Sequence, residues 1–401
     1  MAKKKIFIAA HYNLNNGDRA VLEATKEILQ NRGEEYVVSA YCPEKMDNSQ
    51  CEVVSWPIKN TLFSKLILRM LKRINKVSWL KFVYKIMLDK DYYISLQKSD
   101  FVVVSGGHHL TDILGDDVFY DLAINFIIPM YCGKKVILLP QTMGSMKFDH
   151  KDKKNIMDYI LKKAKLIGVR DASSVEFIEN NFDVSNYHIV PDIVFGYNAN
   201  KNVELIKDIK RIGIALYCNY ADEKGKEKFQ FVISELEKAI NIFIQKDYII
   251  NIIPMEVKGT TADDRIYAEK IISSVLNENE NATDKIRVME VGQENIKDII
   301  NCFAENDVII AYKTHSVVFS LISNTPVVAV AYHKKSIEFM EEINLSKYAI
   351  WDYQATMENI CALVDEIICN EKKIREIESE GVRNNRVKIN DFLDKAFSEL
   401  L

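Results

Sequence analysis

Two ionisable side chains, Lys313 and His315, lie where a predicted strand is followed by a predicted helix. The strand is Val308–Ala311, and the helix is predicted to begin near Ser316. A lysine beside the positive end of a helix dipole can hold an anionic ligand, and a histidine can exchange a proton near neutral pH. The segment therefore predicts an anion site with a titratable group beside it. A histidine with a purely structural role is the alternative.

The next predicted strand, Pro326–Ala331, is followed by Tyr332 and Lys335. Because the carboxyl ends of neighbouring parallel strands meet at one sheet edge, these residues add positive charge and a phenol near the same place.

Two segments of the N-terminal half also follow predicted strands. In 13–20 (NLNNGDRA), Gly17 permits a tight turn and Asn16 or Asp18 can cap a helix, so the segment is either an anion or sugar site or an ordinary capped turn. In 105–109 (SGGHH), two glycines let the backbone approach a ligand closely. Adjacent histidine side chains point apart, and no carboxylate has ligand spacing, so a glycine turn is favoured over a metal site. The binding candidates of these segments are Asn16, Gly17, Gly106, Gly107 and His108.

Polar residues follow two more predicted strands. Gln141 follows one of them and either hydrogen-bonds a ligand or closes a turn. Arg170 ends the other strand, with Asp171 and Ser174 directly after it. Either Asp171 caps the next helix while Arg170 pairs with a local carboxylate, or Arg170 binds a phosphate or carboxylate of a ligand.

The elements that position these residues alternate between short apolar strands and longer helices. Continuously apolar strands between helices indicate parallel sheets covered on both faces, and ligands of such sheets lie beyond the carboxyl ends of the strands. A polar stretch at 196–208 interrupts the alternation, which then restarts and predicts a second α/β sheet with a boundary near residue 200. The predicted strands are Lys3–Ala10, Glu35–Ala40, Phe101–Ser105, Lys135–Leu139, Leu166–Val169, His188–Val190, Arg211–Leu216, Tyr248–Ile253, Ile286–Glu290, Val308–Ala311 and Pro326–Ala331.

Length and composition predict a globular protein of two or three domains. The chain has 401 residues, of which 48% are hydrophobic and 27% charged, which excludes disordered, collagenous and coiled-coil classes. The net charge of −4 gives no case for nucleic acid. The longest apolar run near the N-terminus is too short for a signal or a membrane span, so neither is expected. Seven cysteines without a CxxC pair predict reduced thiols in the cytoplasm and no structural zinc.

A basic segment at 59–88 carries eight lysines and arginines and no acid, interleaved with apolar residues. One interpretation is an amphipathic helix in peripheral contact with the anionic inner face of the cell membrane. The other is a buried helix with a solvated basic face.

Taken in order, six segments resemble the polysaccharide pyruvyl transferase family from about residue 6 to residue 345: NNGDRAVLEA, SGGHHLTD, LLPQTMGS, GVRDASSVEFI, PDIVF and YKTHSVVFSLISNTPVVAVAYHKKSIEFM. The resemblance implies a GT-B-like α/β fold of two Rossmann-like domains whose parallel sheets face a central cleft. It places the acceptor domain at 1–200, the donor domain at 201–356, and helices 357–401 packing back on the first domain.

The same resemblance implies an activity. Pyruvate would move from phosphoenolpyruvate to a sugar diol of a cell-surface polysaccharide or its lipid-linked precursor, forming a cyclic ketal without metal or cofactor. The family's Arg-x-His motif binds phosphoenolpyruvate; here His315 stands at the histidine and Lys313 at the arginine, with Thr314 and Ser316 alongside. Lysine keeps the charge but lacks the bidentate fork. The family's Arg-Asp motif matches Arg170 and Asp171.

In this scheme His315 is the general acid that protonates the enol carbon, and Asp18 is a candidate base or acceptor-orienting group. Two other functions remain open from the residues. A GT-B glycosyltransferase that uses a nucleotide sugar would have the same architecture. A non-catalytic glycan- or phosphate-binding protein would use Lys313 without turnover.

Overall fold

The computed structural model describes residues 4–10, 16–41, 43, 46, 51–58, 87–113, 115–144, 146–148, 151–199, 210–218, 223–257, 263–279, 282–291 and 296–400. These residues form two units, each built on one parallel sheet. The first unit comprises Met1–Asn13, Asp18–Tyr197 and Asn385–Leu401, and the second comprises Leu14–Gly17 and Asn198–Asn384.

Seven strands of the first sheet lie in the order β3-β2-β1-β4-β6-β7-β8, and the eighth strand, β5, pairs with β6. Every described pair is parallel, and the central strands are apolar and buried along their length, as strands covered on both faces must be. The strands are β1 Lys5–Ala9, β2 Glu35–Ser39, β3 Glu52–Val54, β4 Phe101–Val104, β5 Gly107–Leu110, β6 Val136–Met143, β7 Leu166–Val169 and β8 Tyr187–Ile189. The helices are α1 Asn16–Asn31, α2 Lys90–Gln97, α3 Asp116–Tyr131, α4 Lys151–Lys163 and α5 Ala172–Asn181.

The second sheet has the order β11-β10-β9-β12-β13-β14 and is also parallel. Its strands are β9 Arg211–Leu216, β10 Ile249–Pro254, β11 Ile286–Val288, β12 Val308–Ala311, β13 Val327–Ala331 and β14 Ala349–Trp351. Its helices are α6 Glu223–Gln245, α7 Asp264–Glu278, α8 Ile296–Ala304, α9 Thr314–Ser323, α10 Lys334–Glu342 and α11 Met357–Cys369, and the long α12 Glu371–Ser398 follows.

The C-terminal helices divide between the units differently from the predicted boundary at 356. Residues 357–384 group with the second unit, and only 385–401 group with the first. Within the second unit, Lys246, just after α6, pairs with Asp365 of α11, with Nζ and Oδ2 2.6 Å apart. Further along α12, Arg386 Nε donates to the Phe195 carbonyl oxygen of the first unit at 3.0 Å.

Two predicted loops of the first unit are strands in the structure. The segment read as a glycine turn with a histidine pair forms β5, which pairs in parallel with β6. Strand β6 itself extends to Met143, so Gln141 lies within it and not after it. Neither β5 nor the end of β6 is rich in β-branched residues, so their local preference for a strand is weak. Their pairing with each other outweighs that weak preference.

Apart from Met87 and Leu88, the basic segment 59–88 lies outside the described residues. In the part of the chain that the structure describes, no helix combines the length and the apolar character needed to cross a membrane.

Candidate functional site

Four neighbouring strands of the second sheet end beside polar or aromatic residues that contact one another. Strands β10, β9, β12 and β13 are adjacent in that order. Glu256 follows β10, Tyr217 follows β9, Lys313 follows β12 and Tyr332 follows β13. Because parallel strands present their carboxyl ends at one edge, these residues come together there.

Helix α9 begins directly at this edge. Lys313 is its N-cap residue in extended conformation, and its carbonyl oxygen accepts from the Ser316 backbone nitrogen at 2.8 Å. Thr314 and Ser316 are buried in the first turn, whereas His315 is half-buried. The Ser316 hydroxyl, fully buried, has no hydrogen-bond partner among the described residues. The predicted pair of Lys313 and His315 thus occupies the positive end of a ten-residue helix.

Lys313 is part of a buried ion pair. Its Nζ lies 2.7 Å from Glu256 Oε1, with side-chain exposures of 7% and 4%. The same ammonium lies 4.8 Å from the centre of the Tyr217 ring, within the range of a cation–π contact. The positive charge of Lys313 is therefore balanced by the Glu256 carboxylate and faced by the Tyr217 ring.

Tyr217, which faces Lys313, belongs to a cluster of three tyrosines. The Tyr217 and Tyr332 rings stack at 5.2 Å, and Tyr312 meets Tyr332 edge-on at 6.0 Å. Burial raises the pKa of Tyr217 and of Tyr332. Both phenols therefore stay neutral at physiological pH and offer a flat apolar surface with hydroxyl donors.

A second carboxylate, Asp264, holds two of the strand-end loops in place. Its Oδ2 accepts from the backbone nitrogens of Met255 and Glu256 at 2.9 and 2.7 Å, and its Oδ1 accepts from the Cys218 nitrogen at 3.0 Å. Burial raises the pKa of Asp264, and burial together with Asp264 raises the pKa of the Cys218 thiol. Asp264 is the residue that positions Glu256 against Lys313.

In the first unit, Arg170 is engaged internally. Its Nη2 lies 3.0 Å from Asp192 Oδ2, and both side chains are buried. Asp192 also accepts from the Val194 nitrogen at 3.0 Å. Of the two interpretations of Arg170, the structure shows the pair with a local carboxylate. The Arg170 Nε atom is buried and has no hydrogen-bond partner among the described residues.

Asp171 and Ser174 also bond within the first unit. Asp171 caps α5 by accepting from the Ser174 nitrogen at 2.8 Å, and its other oxygen accepts from the Thr142 hydroxyl at 2.9 Å. The Ser174 hydroxyl donates to the Met143 carbonyl oxygen at 3.0 Å. These groups tie the end of β6 to the start of α5.

Gln141 links two strand ends by donating from Nε2 to the Ser105 carbonyl oxygen at 2.7 Å. Gly106 is required there, because a Cβ atom would lie 2.7 Å from the Pro140 carbonyl oxygen. Gly107 has φ of +144° and faces the His109 ring, while His108 is half-buried in β5. Gly106 thus allows close packing against the Pro140 backbone, and Gly107 against the His109 ring.

The remaining predicted residues lie at two helix starts. Asn16 and Gly17 are buried at the start of α1, where Asp18 is half-buried. Asn16, which groups with the second unit, donates from Nδ2 to the Met255 carbonyl oxygen at 2.9 Å. Lys335 is half-buried in the first turn of α10.

Sequence reasoning missed Glu256, Tyr217 and Asp264. The rule that located Lys313, a polar residue just beyond a buried strand, also applies to β9 and β10 and would have found the first two. Asp264 had a weaker signal, since consecutive acids at 263 and 264 open a predicted helix.

The family model for polysaccharide pyruvyl transferase matches residues 15–334. The amylovoran biosynthesis protein AmsJ of Erwinia amylovora is 21% identical over 313 residues, which is 73% of this chain and 72% of AmsJ. The predicted family is thereby confirmed.

Among solved structures, a glycosyltransferase from Rickettsia africae ESF-5 superposes with a TM-score of 0.60 at 13% identity, covering 100% of this chain and 98% of that one. Alr3699/HepE of Anabaena, solved in complex with UDP, gives 0.59 at 12% identity over 98% and 99% of the two chains. At such identities these likenesses concern the fold, and they confirm the predicted GT-B-like class of two Rossmann-like α/β units.

Proposed function

This chain belongs to the polysaccharide pyruvyl transferase family, and we propose that it moves pyruvate from phosphoenolpyruvate to a sugar diol, forming a cyclic ketal. The family makes it a transferase of polysaccharide biosynthesis. The observation that carries the finer proposal is the start of α9, where a buried lysine and a half-buried histidine are two residues apart at the positive end of the helix.

Phosphoenolpyruvate carries a carboxylate and a phosphate, so it needs a site of positive charge. Lys313 and the α9 N-terminus supply that charge. Glu256 balances the charge of Lys313, so a donor oxygen that binds Lys313 would compete with the Glu256 carboxylate. The neutral Tyr217 and Tyr332 rings flank this position without adding negative charge.

The proposed transfer joins both hydroxyls of the diol to the C2 carbon of phosphoenolpyruvate. Protonated His315 gives its proton to the C3 carbon of phosphoenolpyruvate, and the C2 carbon becomes oxocarbenium-like. One sugar hydroxyl bonds to C2 and loses its proton, and the C2–O bond to phosphate breaks with the electron pair leaving on phosphate, which takes up a proton. The second hydroxyl closes the ketal at C2 and loses its proton to His315, which restores the protonated acid. The products are the ketal and inorganic phosphate.

Ligand-dependent thermal unfolding tests the donor assignment without an acceptor. We expect phosphoenolpyruvate to raise the melting temperature of the full chain, because a ligand at 100 times its Kd adds about 2.7 kcal/mol. Lys313→Met should abolish that rise, whereas Lys347→Met, which removes an exposed lysine of the same unit, should keep it.

His315→Gln separates binding from chemistry. It should keep the phosphoenolpyruvate-dependent rise and lower the transfer rate by about 10²–10⁴. A rise with nucleoside diphosphates or nucleotide sugars alone would contradict the proposal and point to glycosyl transfer. Binding of phosphoenolpyruvate that does not depend on Lys313 would remove the assigned site.

A further inference from the structure

Trp351 and Tyr353 form an exposed aromatic pair in the second unit. Trp351 ends β14 and is half-buried, and Tyr353 follows it in the short 3₁₀ helix Asp352–Gln354. Their rings are nearly parallel, with 11° between the ring planes and 6.4 Å between the centroids. Tyr353 is 62% exposed, more than any other large apolar or aromatic side chain of the described residues. Two aromatic rings exposed side by side are typical of a binding surface.

The turn that carries the two rings is fixed by hydrogen bonds. Asp352 is buried; its Oδ1 accepts from the Tyr353 backbone nitrogen at 2.9 Å, and its Oδ2 lies 3.4 Å from Lys228 Nζ of α6. Gln354 Oε1 accepts from the Trp351 backbone nitrogen at 3.2 Å. Because these contacts hold the backbone of both aromatic residues in place, a ligand meets a surface that is already ordered.

The pair lies at the edge of the second sheet where Lys313 is found. Strands β12, β13 and β14 are adjacent in that order, and Ala311 is level with Ala329 in their register. Ala331, two residues further along β13, is level with Trp351. Lys313, two residues beyond Ala311, thus lies near the level of Trp351. Neighbouring strands are about 4.8 Å apart, so about 10 Å separates the two backbone positions, a distance that a short oligosaccharide spans.

Flat aromatic rings are complementary to the faces of sugar rings. One face of a hexose presents C–H groups that pack against an aromatic ring, while the hydroxyls at its rim stay hydrated or bond to polar neighbours. Gln354, which is exposed and bonds to Trp351, supplies an amide for such hydroxyls. Because the family acts in polysaccharide biosynthesis, a sugar ring is the occupant that this surface fits best.

We infer that Trp351 and Tyr353 form a stacking platform for a sugar ring of the glycan, next to the ring that is pyruvylated. The binding of a sugar ring rests on the aromatic pair and its place in the sheet, whereas its identification as part of the acceptor rests on the proposed function. The platform sets the affinity for the glycan and leaves the chemical step unchanged.

Tryptophan fluorescence tests the platform directly, because Trp351 is its own reporter. The full-length chain would be titrated with neutral disaccharides of glucose, galactose and mannose, and separately with UDP. We expect at least one disaccharide to change the emission of the wild type and none to change that of Trp351→Phe, although Trp56 and Trp79 remain in that variant.

Tyr353→Ala keeps the reporter and removes the other ring. It should bind the same disaccharide about tenfold more weakly, because the apolar contact with one ring is lost, whereas Tyr353→Phe should bind as the wild type does. Its melting temperature should stay that of the wild type, since the side chain is exposed. In the transfer assay, Tyr353→Ala should raise KM for the glycan about tenfold and keep kcat.

Tyr93→Ala is the matched control, since it removes a tyrosine of α2 that is 40% exposed in the first unit. It should change neither the affinity for the disaccharide nor the melting temperature.

Three results would overturn the inference. Emission that no disaccharide changes, or that changes equally in Trp351→Phe, would show that no sugar binds on Trp351. Wild-type affinity in Tyr353→Ala, or an equal loss in Tyr353→Phe, would rule out stacking on the Tyr353 ring. A Trp351-dependent response to UDP and to no disaccharide would make the pair a nucleobase site.

The proposed donor fails or stands separately. If phosphoenolpyruvate does not raise the melting temperature of the wild type while the Tyr353-dependent response to the disaccharide persists, the donor assignment is refuted and the platform stands. If phosphoenolpyruvate raises it and no disaccharide binds, the platform is refuted and the donor assignment stands.

Discussion

Replacing Glu256 by glutamine should tighten donor binding and destabilise the free chain. Glu256 Oε1 lies 2.7 Å from Lys313 Nζ, and both side chains are buried. Glutamine keeps the shape and an oxygen that accepts from the lysine, but it removes the negative charge that any anion on Lys313 must displace or face.

The size of the effect follows from Coulomb's law. An anion on the far side of the ammonium lies about 5–6 Å from the Glu256 carboxylate if its own contact is about 2.8 Å. At an effective dielectric constant of about 20, two unit charges at that distance repel by about 3 kcal/mol. Half of that energy, about 1.5 kcal/mol, already exceeds the value of about 1.4 kcal/mol that corresponds to a tenfold change in affinity. We therefore expect Glu256→Gln to bind phosphoenolpyruvate at least about tenfold more tightly.

Stability should move in the opposite direction. Breaking a buried ion pair costs about 3–5 kcal/mol, because one charge is left without its counter-charge. Glu256→Gln should thus melt several degrees below the wild type in the absence of ligand. The double variant Lys313→Met/Glu256→Gln should recover part of that stability, because neither charge remains, but should bind no phosphoenolpyruvate.

Isothermal titration with phosphoenolpyruvate measures the affinity, and calorimetric unfolding measures the stability. Glu366→Gln is the control, since its carboxylate bonds to Lys347 in an exposed ion pair of the same unit. It should change neither quantity. Donor binding by Glu256→Gln that is equal to or weaker than the wild type's would refute the idea that Glu256 competes with the donor for Lys313.

Three further predictions concern the surrounding structure. Arg170→Met should lower the free energy of unfolding by about 3–5 kcal/mol in a denaturant titration, because Asp192 is left buried without its counter-charge; a wild-type midpoint would contradict the structural role. Gly106→Ala should melt well below the wild type, since its Cβ would lie 2.7 Å from the Pro140 carbonyl oxygen, and an unchanged melting temperature would be inconsistent with that contact. Cys218 should resist a thiol reagent near neutral pH, because burial raises its pKa, while the exposed Cys369 reacts. Mass spectrometry of the labelled peptides measures both rates, and labelling of Cys218 as fast as that of Cys369 would contradict this prediction.

The strands were predictable because their signal is local. A continuous apolar run such as VIIA at Val308–Ala311 indicates a buried parallel strand whatever its neighbours are. Strands β7, β9 and β12 accordingly have their predicted bounds. Asp171 as a helix cap was also readable, since an acid directly before a helical run is a common start signal. The GHHL strand β5 was not, because two histidines carry little strand preference and only pairing with β6 makes it one.

The partners of the charged residues were beyond local reasoning. Lys313 meets Glu256 because β10, β9 and β12 are adjacent in the sheet, although the two residues are 57 positions apart. Arg170 meets Asp192 because β7 and β8 are neighbours. Strand order is a tertiary property, so the sequence located these charges at strand ends without showing which ones neutralise each other.

The most direct test of the central claim is the transfer reaction itself. The full chain would be incubated with phosphoenolpyruvate and a glycan that bears a free diol, and both inorganic phosphate and the mass of the glycan would be followed. We predict phosphate release that requires the glycan, a glycan mass increased by one pyruvate less one water, and loss of both in His315→Gln. Phosphoenolpyruvate that binds while the glycan mass stays unchanged, or transfer at the wild-type rate in His315→Gln, would contradict the account.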